Sequence, residues 1–184
     1  LRKILSDHQI DPNDVLQVDV EVHEMAYKAT MQPEVRKYEP DNIVDGQFSI
    51  PYCLALMALY HEVSPDYFTD EYLHNHDVRA WAKKVKGAIS DRYNALFPQQ
   101  NACKVSVLTT TNRYEYEVLN ALGDPENPLS DRELEEKFVR LTNGILDPEE
   151  QQQLIQMVSQ LEHEEDCGRF VDMTCKHPHL SIRP

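Results

Sequence analysis

The clearest hydrophobic pattern in the chain is the alternation in VLQVDVEVH, residues 15–23. Leu16, Val18, Val20 and Val22 share one parity, and Gln17, Asp19, Glu21 and His23 share the other. A period of two puts the two sets on opposite faces of an extended segment, so the pattern predicts a half-buried β-strand with the aliphatic set inward. KVKGAIS (84–90) offers a second, shorter strand. CKVSVLTTTNRYEYEVL (103–119) predicts a β-hairpin, with β-branched and aromatic residues on both arms and Thr111 and Asn112 at the turn.

Helical spacing governs much of the rest. Leu1, Ile4 and Leu5 recur at helical intervals before the turn-forming DHQIDPND, which reads as the last turns of a helix whose beginning is missing. QFSIPYCLALMALYHEVSP (47–65) places Ser49 as an N-cap and Pro51 in the first turn, followed by apolar residues on all sides from Cys53 to Leu59. A helix apolar all round belongs in the core. Further helix starts are expected at Ser64-Pro65 and at Asp77. Two capping boxes, Ser130 with Glu133 and Asp147 with Glu150, open the last two predicted helices, the first of which ends at Asn143-Gly144. Residues 28–47, with Pro33, Pro40, Gly46 and no period, read as an extended loop. Together these elements predict an α+β fold: a small antiparallel or mixed sheet flanked by helices. The expected organisation is an α+β domain over residues 1–146 and a helical segment over 147–184.

Composition narrows the function. Eighteen basic against 32 acidic residues give a formal charge of -14, the wrong sign for a chain that neutralises phosphates, so nucleic acid and anionic membranes are not expected partners. The acid-rich stretch from Asp124 to Asp172 reads first as solvated helical faces. No stretch reaches the roughly 18 apolar residues of a membrane span, and the first residues lack the order of a signal peptide, so a cytoplasmic or mitochondrial-matrix location is expected. Cys53, Cys103, Cys167 and Cys175 show no C-x-x-C spacing and are expected as reduced thiols. The histidines His74, His76, His163, His177 and His179 form no H-E-x-x-H motif, and no metal site is predicted. Nucleophile-elbow, P-loop and dinucleotide motifs are also missing from the sequence.

One polar group stands out. If Ser49 caps the apolar helix, Tyr52 lies in its first turn, where unpaired N–H groups and the helix dipole favour anions. Its phenol could then donate a hydrogen bond or, less readily, relay a proton; the alternative is a core tyrosine satisfying a neighbour.

FSIPYCLALMAL, GDPENPLSDRELEEKF and LEHEED, in this order and approximate spacing, resemble the carboxy-terminal half of the MmgE/PrpD family, which includes 2-methylcitrate dehydratase and cis-aconitate decarboxylase. The resemblance runs from LQVDVEV to about residue 170. It implies the lid region of a two-domain lyase without redox cofactor, acting on small di- or tricarboxylates in a cleft between an all-helical domain and an α+β lid, and homodimeric when complete. By position in its S-x-x-Y motif, Tyr52 matches the family's active-site tyrosine, with Ser49 and the preceding Gln47 as expected substrate-binding residues. Most of the family's acid/base residues lie in the helical domain and just before LRKIL, so the chain resembles a lid without its partner. The rival expectation is a non-catalytic module of the same fold that binds a basic protein through its acidic helices.

Overall fold

The computed structural model describes residues 1–163 and 166–175. Two compact units are present, Leu1–Asn127 and Pro128–Pro184. The division falls at 127/128, earlier than the expected 146/147. The cause is that the helix after Ser130 packs on the helix after Asp147 and joins it in the second unit.

The first unit begins with α1 (Arg2–Asp7) and β1 (Val15–Val22), followed by α2 (Glu24–Met31), α3 (Glu34–Tyr38) and α4 (Ile43–Gln47). Next come α5 (Ile50–Tyr60), a 3-10 turn at Pro65–Tyr67, α6 (Asp70–Leu73), α7 (His76–Ala82), β2 (Val85–Ile89) and α8 (Asp91–Leu96). The hairpin β3 (Cys103–Thr109) and β4 (Arg113–Val118) completes the sheet, whose order is β2-β1-β3-β4. β1 pairs parallel to β2 and antiparallel to β3, so the sheet is mixed and the α+β expectation holds. A chain that leaves β1 through helices and returns as β2 arrives parallel, as a crossover connection requires.

The predicted parity of β1 holds from Val18 onward and fails at its start. Val15 pairs with Thr109 and Gln17 with Leu108, so Leu16 is an inserted bulge residue. The bulge turns Val15 inward, 1% exposed, and leaves Leu16 54% exposed. His23, placed by alternation on the polar face, is instead buried as the N-cap of α2. Its Nδ1 accepts the Ala26 N–H, its Nε2 meets Asn101 Oδ1 at 2.9 Å, and its ring stacks on Phe97.

The core lies between one sheet face and the helices. Val18, Val20, Val22, Val85 and Val107 meet Leu56 and Ala55 of α5 and Val78, Trp81 and Ala82 of α7. The opposite sheet face is charged and cross-linked by strand register. Glu21 accepts from Lys104, Asp19 and Glu115 pair with Arg113, and Glu117 accepts from Tyr93 and Arg92. The Glu21–Lys104 pair joins adjacent strands directly, and Arg113 reaches across β3 to Asp19.

The expected loop over 28–47 is largely helical. Most of α2, α3 and α4 fall in it, and each is five to eight residues long, too short to display a period. Local side-chain caps hold two of them: His23 for α2, and Asn42, whose Oδ1 accepts the Asp45 N–H, for α4. The restart at Ser64-Pro65 amounts to the 3-10 turn alone, and the cap of α7 is Asn75, not Asp77.

In the second unit α9 (Asp131–Thr142) and α10 (Pro148–Ser159) both open with the predicted capping boxes. A short 3-10 turn at Leu161–His163 and α11 (Gly168–Cys175) follow. α9 stops at Asn143 before Gly144, which takes φ +78, a conformation that glycine adopts without steric cost.

Leu56 and Leu16 provide a matched test of the bulge. Leu56→Ala empties a fully buried site and is expected to cost about 2–5 kcal/mol, whereas Leu16→Ala should stay within about 0.5 kcal/mol. Urea denaturation of both variants checks this; equal losses would mean that Leu16 points inward.

Candidate functional site

The sequence-predicted site falls at the junction between α4 and α5, where two helices meet head to tail around Phe48 and Ser49. Ser49 is 1% exposed and works in two directions. Its Oγ accepts the Tyr52 N–H at 3.0 Å, closing the N-cap of α5, and donates to the carbonyl of Lys37 in α3. Lys37 returns the link: its Nζ donates to the Phe48 carbonyl at 2.8 Å, satisfying the end of α4. Gly46 lets α4 approach α6 and the end of the 3-10 turn, since a Cβ there would stand 2.9 Å from Leu73 Cδ2 and 3.3 Å from Phe68 Cδ1. Cys53 Sγ, one turn into α5, donates to the Gly46 carbonyl at 3.6 Å.

Tyr52 does not face an opening. Its residue exposure is 0%, and its hydroxyl donates to the Tyr67 carbonyl at 2.8 Å in the 3-10 turn after α5. Tyr52 is the core tyrosine of the two readings, its hydroxyl satisfying a neighbouring carbonyl. The reason is local: α5 is apolar on every side, so its first turn is as deeply packed as its middle, and residues 61–68 fold back over the ring. Burial, reinforced by neighbouring Cys53 and Tyr60, pushes the phenol well above its usual range, with Arg79 opposing. A phenol that is buried, protonated and already donating is poorly placed to relay protons.

Ser49, expected as a substrate contact, likewise spends its hydroxyl on the cap and on Lys37. Gln47 differs from both: it is exposed, at the last position of α4, beside Phe48, which is 56% exposed. Of the three residues singled out by motif, Gln47 alone offers a side chain to a ligand in this arrangement.

Two cations near this junction were not legible in the sequence. Lys37 is 6% exposed despite its charge. Arg79 of α7 donates through Nε to the Leu73 carbonyl at 2.7 Å and through a terminal nitrogen to the Pro40 carbonyl at 2.9 Å. Both hold backbone around the 37–49 segment. No periodic or motif signal marks Lys37; its role follows from the fold of α3 against α5.

His74 and His76 are exposed, as is His163, and no group of His, Cys, Asp or Glu among the described residues could hold a metal ion. His177 and His179 lie outside the described residues. Cys53, Cys103, Cys167 and Cys175 are free thiols. No helix among the described residues is long and apolar enough to cross a membrane.

In the second unit α9, α10 and α11 enclose an apolar groove of about 650 Å³, lined by Leu134, Phe138, Leu154, Ile155, Val158 and Phe170 among others. Leu154 of α10 is buried, but Val158 and, beyond the helix, Leu161 are 55% and 41% exposed, so the apolar face of this segment is incompletely covered within the described residues.

A mixed four-stranded sheet flanked by helices, with a helix–helix junction beside it, defines an α+β domain. The model of the MmgE/PrpD C-terminal domain matches residues 1–163, and the chain belongs to that family. No curated protein matches the chain in a direct comparison.

The buried groups give a pH dependence with a definite sign. Burial pushes the Cys53 thiol from 9.0 up to about 11, so between those values the folded chain holds a proton that the unfolded chain releases. Stability is full below pH 9 and falls as the pH rises through 11, and the raised phenols of Tyr52 and Tyr93 extend the loss in the same direction. Urea midpoints measured from pH 8 to 11 should decline, with Cys53→Ala flattening the early part of the curve. Tyr52→Phe leaves the Tyr67 carbonyl without its donor and should cost about 1–3 kcal/mol at neutral pH.

Proposed function

We propose that this chain is the carboxy-terminal part of a lyase acting on small di- or tricarboxylates, of the 2-methylcitrate dehydratase type, completed by a helical domain of the same enzyme. The observation that carries the reading is the family match over residues 1–163. Its local support is the S-x-x-Y junction: Ser49 caps a rigid core helix and Gln47 stands exposed at the preceding helix end.

The chemistry of such a lyase is removal of a proton beside a carboxylate with departure of hydroxide as water, or loss of carbon dioxide with protonation of the carbanion left behind, or removal and return of a proton on opposite faces of one carbon. That work needs a base, an acid and cationic groups to hold the carboxylates. The described junction supplies an exposed amide and a rigid frame, and the base is assigned to the helical domain. In this division Gln47 contacts substrate. Tyr52 acts as a positioning residue, its hydroxyl fixing the 61–68 segment against the start of α5. The apolar groove of the second unit and the uncovered residues Val158 and Leu161 are assigned to packing on that helical domain, and a homodimer is the proposed complete assembly.

The test is to combine this chain with the helical domain and assay dehydration and decarboxylation of small tricarboxylates. Turnover is expected from the combination and none from this chain alone. Gln47→Ala should raise KM with a smaller effect on kcat, and Tyr52→Phe should leave kcat within about tenfold while lowering stability. A folded Tyr52→Phe enzyme without turnover would return the phenol to the chemistry. No turnover from any combination would favour the non-catalytic module.

A further inference from the structure

Lys37 presents a physical problem that its structural role does not solve. The residue is 6% exposed, yet the ion pairs formed among the described residues do not include it. Of the acids nearest in sequence, Glu39 pairs with Lys83 at 2.8 Å and Asp41 with Arg79 at 3.6 Å, and neither these two nor Glu34 forms an ion pair with Lys37. In a chain with 32 acidic residues, leaving a nearly buried ammonium without a carboxylate is costly and easily avoided. Holding the Phe48 carbonyl needs one hydrogen bond, which any neutral donor could make. An ammonium has three N–H groups, and one of them is used here.

We propose that Lys37 is a carboxylate anchor at the α4–α5 junction, binding one carboxylate of a small di- or tricarboxylate, with the Gln47 amide as a second donor. The backbone fixes the ammonium in advance. Ser49 holds the Lys37 carbonyl, and the Phe48 carbonyl holds its Nζ, so the side chain is tied at both ends. Gln47, adjacent to Phe48, is exposed and bears both a donor and an acceptor. A preorganised ammonium that donates one of its three protons within the chain, on a residue that is mostly buried, binds a carboxylate more strongly than a surface lysine, whose charge is screened by water. The ligand class follows from the proposed lyase reading, but the anchor itself rests on the burial and pairing of Lys37.

The experiment is an NMR titration of the 184-residue chain labelled at the lysine ε-carbons, with citrate and succinate as probes and sodium chloride at equal ionic strength as the control. The Lys37 signal, assigned by its loss in Lys37→Met, should shift saturably with citrate and not with chloride. Citrate affinity should fall about ten- to hundredfold in Lys37→Met. It should be unchanged in Lys28→Met, which removes an exposed lysine already paired with Glu24. An unresponsive Lys37 signal, an identical response to chloride, or undiminished citrate affinity in a folded Lys37→Met chain would each overturn the proposal. Should Lys37→Met fail to fold, selective labelling at position 37 of the unsubstituted chain still decides. The lyase reading fails separately: citrate bound through Lys37 without turnover in the combined domains loses the reaction and keeps the anchor. Turnover with no Lys37 response does the reverse.

Discussion

The architecture around the candidate site depends on one hydroxyl. Ser49 Oγ accepts from the first turn of α5 and donates to α3, so a single side chain determines where the most apolar helix begins and which short helix lies against it. Capping satisfies an N–H group that would otherwise be buried without a partner. Because the capped helix passes through the middle of the core, the position of that N–H also positions Tyr52, Ala55 and Leu56. Lys37 closes the loop from the other side by holding the Phe48 carbonyl. The two residues form a reciprocal clasp, and the 37–49 segment, which holds the end of α3 and all of α4 and has little periodicity, keeps its shape through it.

The same clasp separates the residues that build from those that can act. Ser49 and Tyr52 lie inside, their polar atoms matched to backbone groups of α3 and of the turn after α5. Gln47 lies outside. Lys37 lies between the two, inside by burial and incompletely matched by charge. A site assembled at such a boundary inherits its geometry from the core and its chemistry from the rim.

How much was legible in the sequence follows from which interactions are local. Both capping boxes, the Ser49 cap, the hairpin turn and the apolar character of α5 are written within four or five consecutive residues, and they appear in the structure as read. The Leu16 bulge was not legible, because it depends on β1 meeting Thr109 and Leu108, more than ninety positions away. Helices α2 to α4 were missed because five to eight residues cannot establish a period against interspersed prolines. Tyr52 shows the limit for function. The motif located the residue, but its exposure was settled by residues 61–68, whose path over the ring no spacing rule describes. Lys37 carried no signal at all, since a lysine is read as surface until its surroundings are known.

The charged ladder on the open sheet face has a bearing on how the chain behaves in company. β2 and β4 are the sheet's two outer strands, and the outer strand β4 alternates Arg113, Glu115 and Glu117 with Tyr114 and Tyr116. Charged side chains along that margin make it a poor template for an incoming extended peptide, and they are already held by Asp19, Ser106 and Arg92. The pattern that fixes strand register from within thus discourages stacking from without, and it favours a discrete particle over an open-ended polymer.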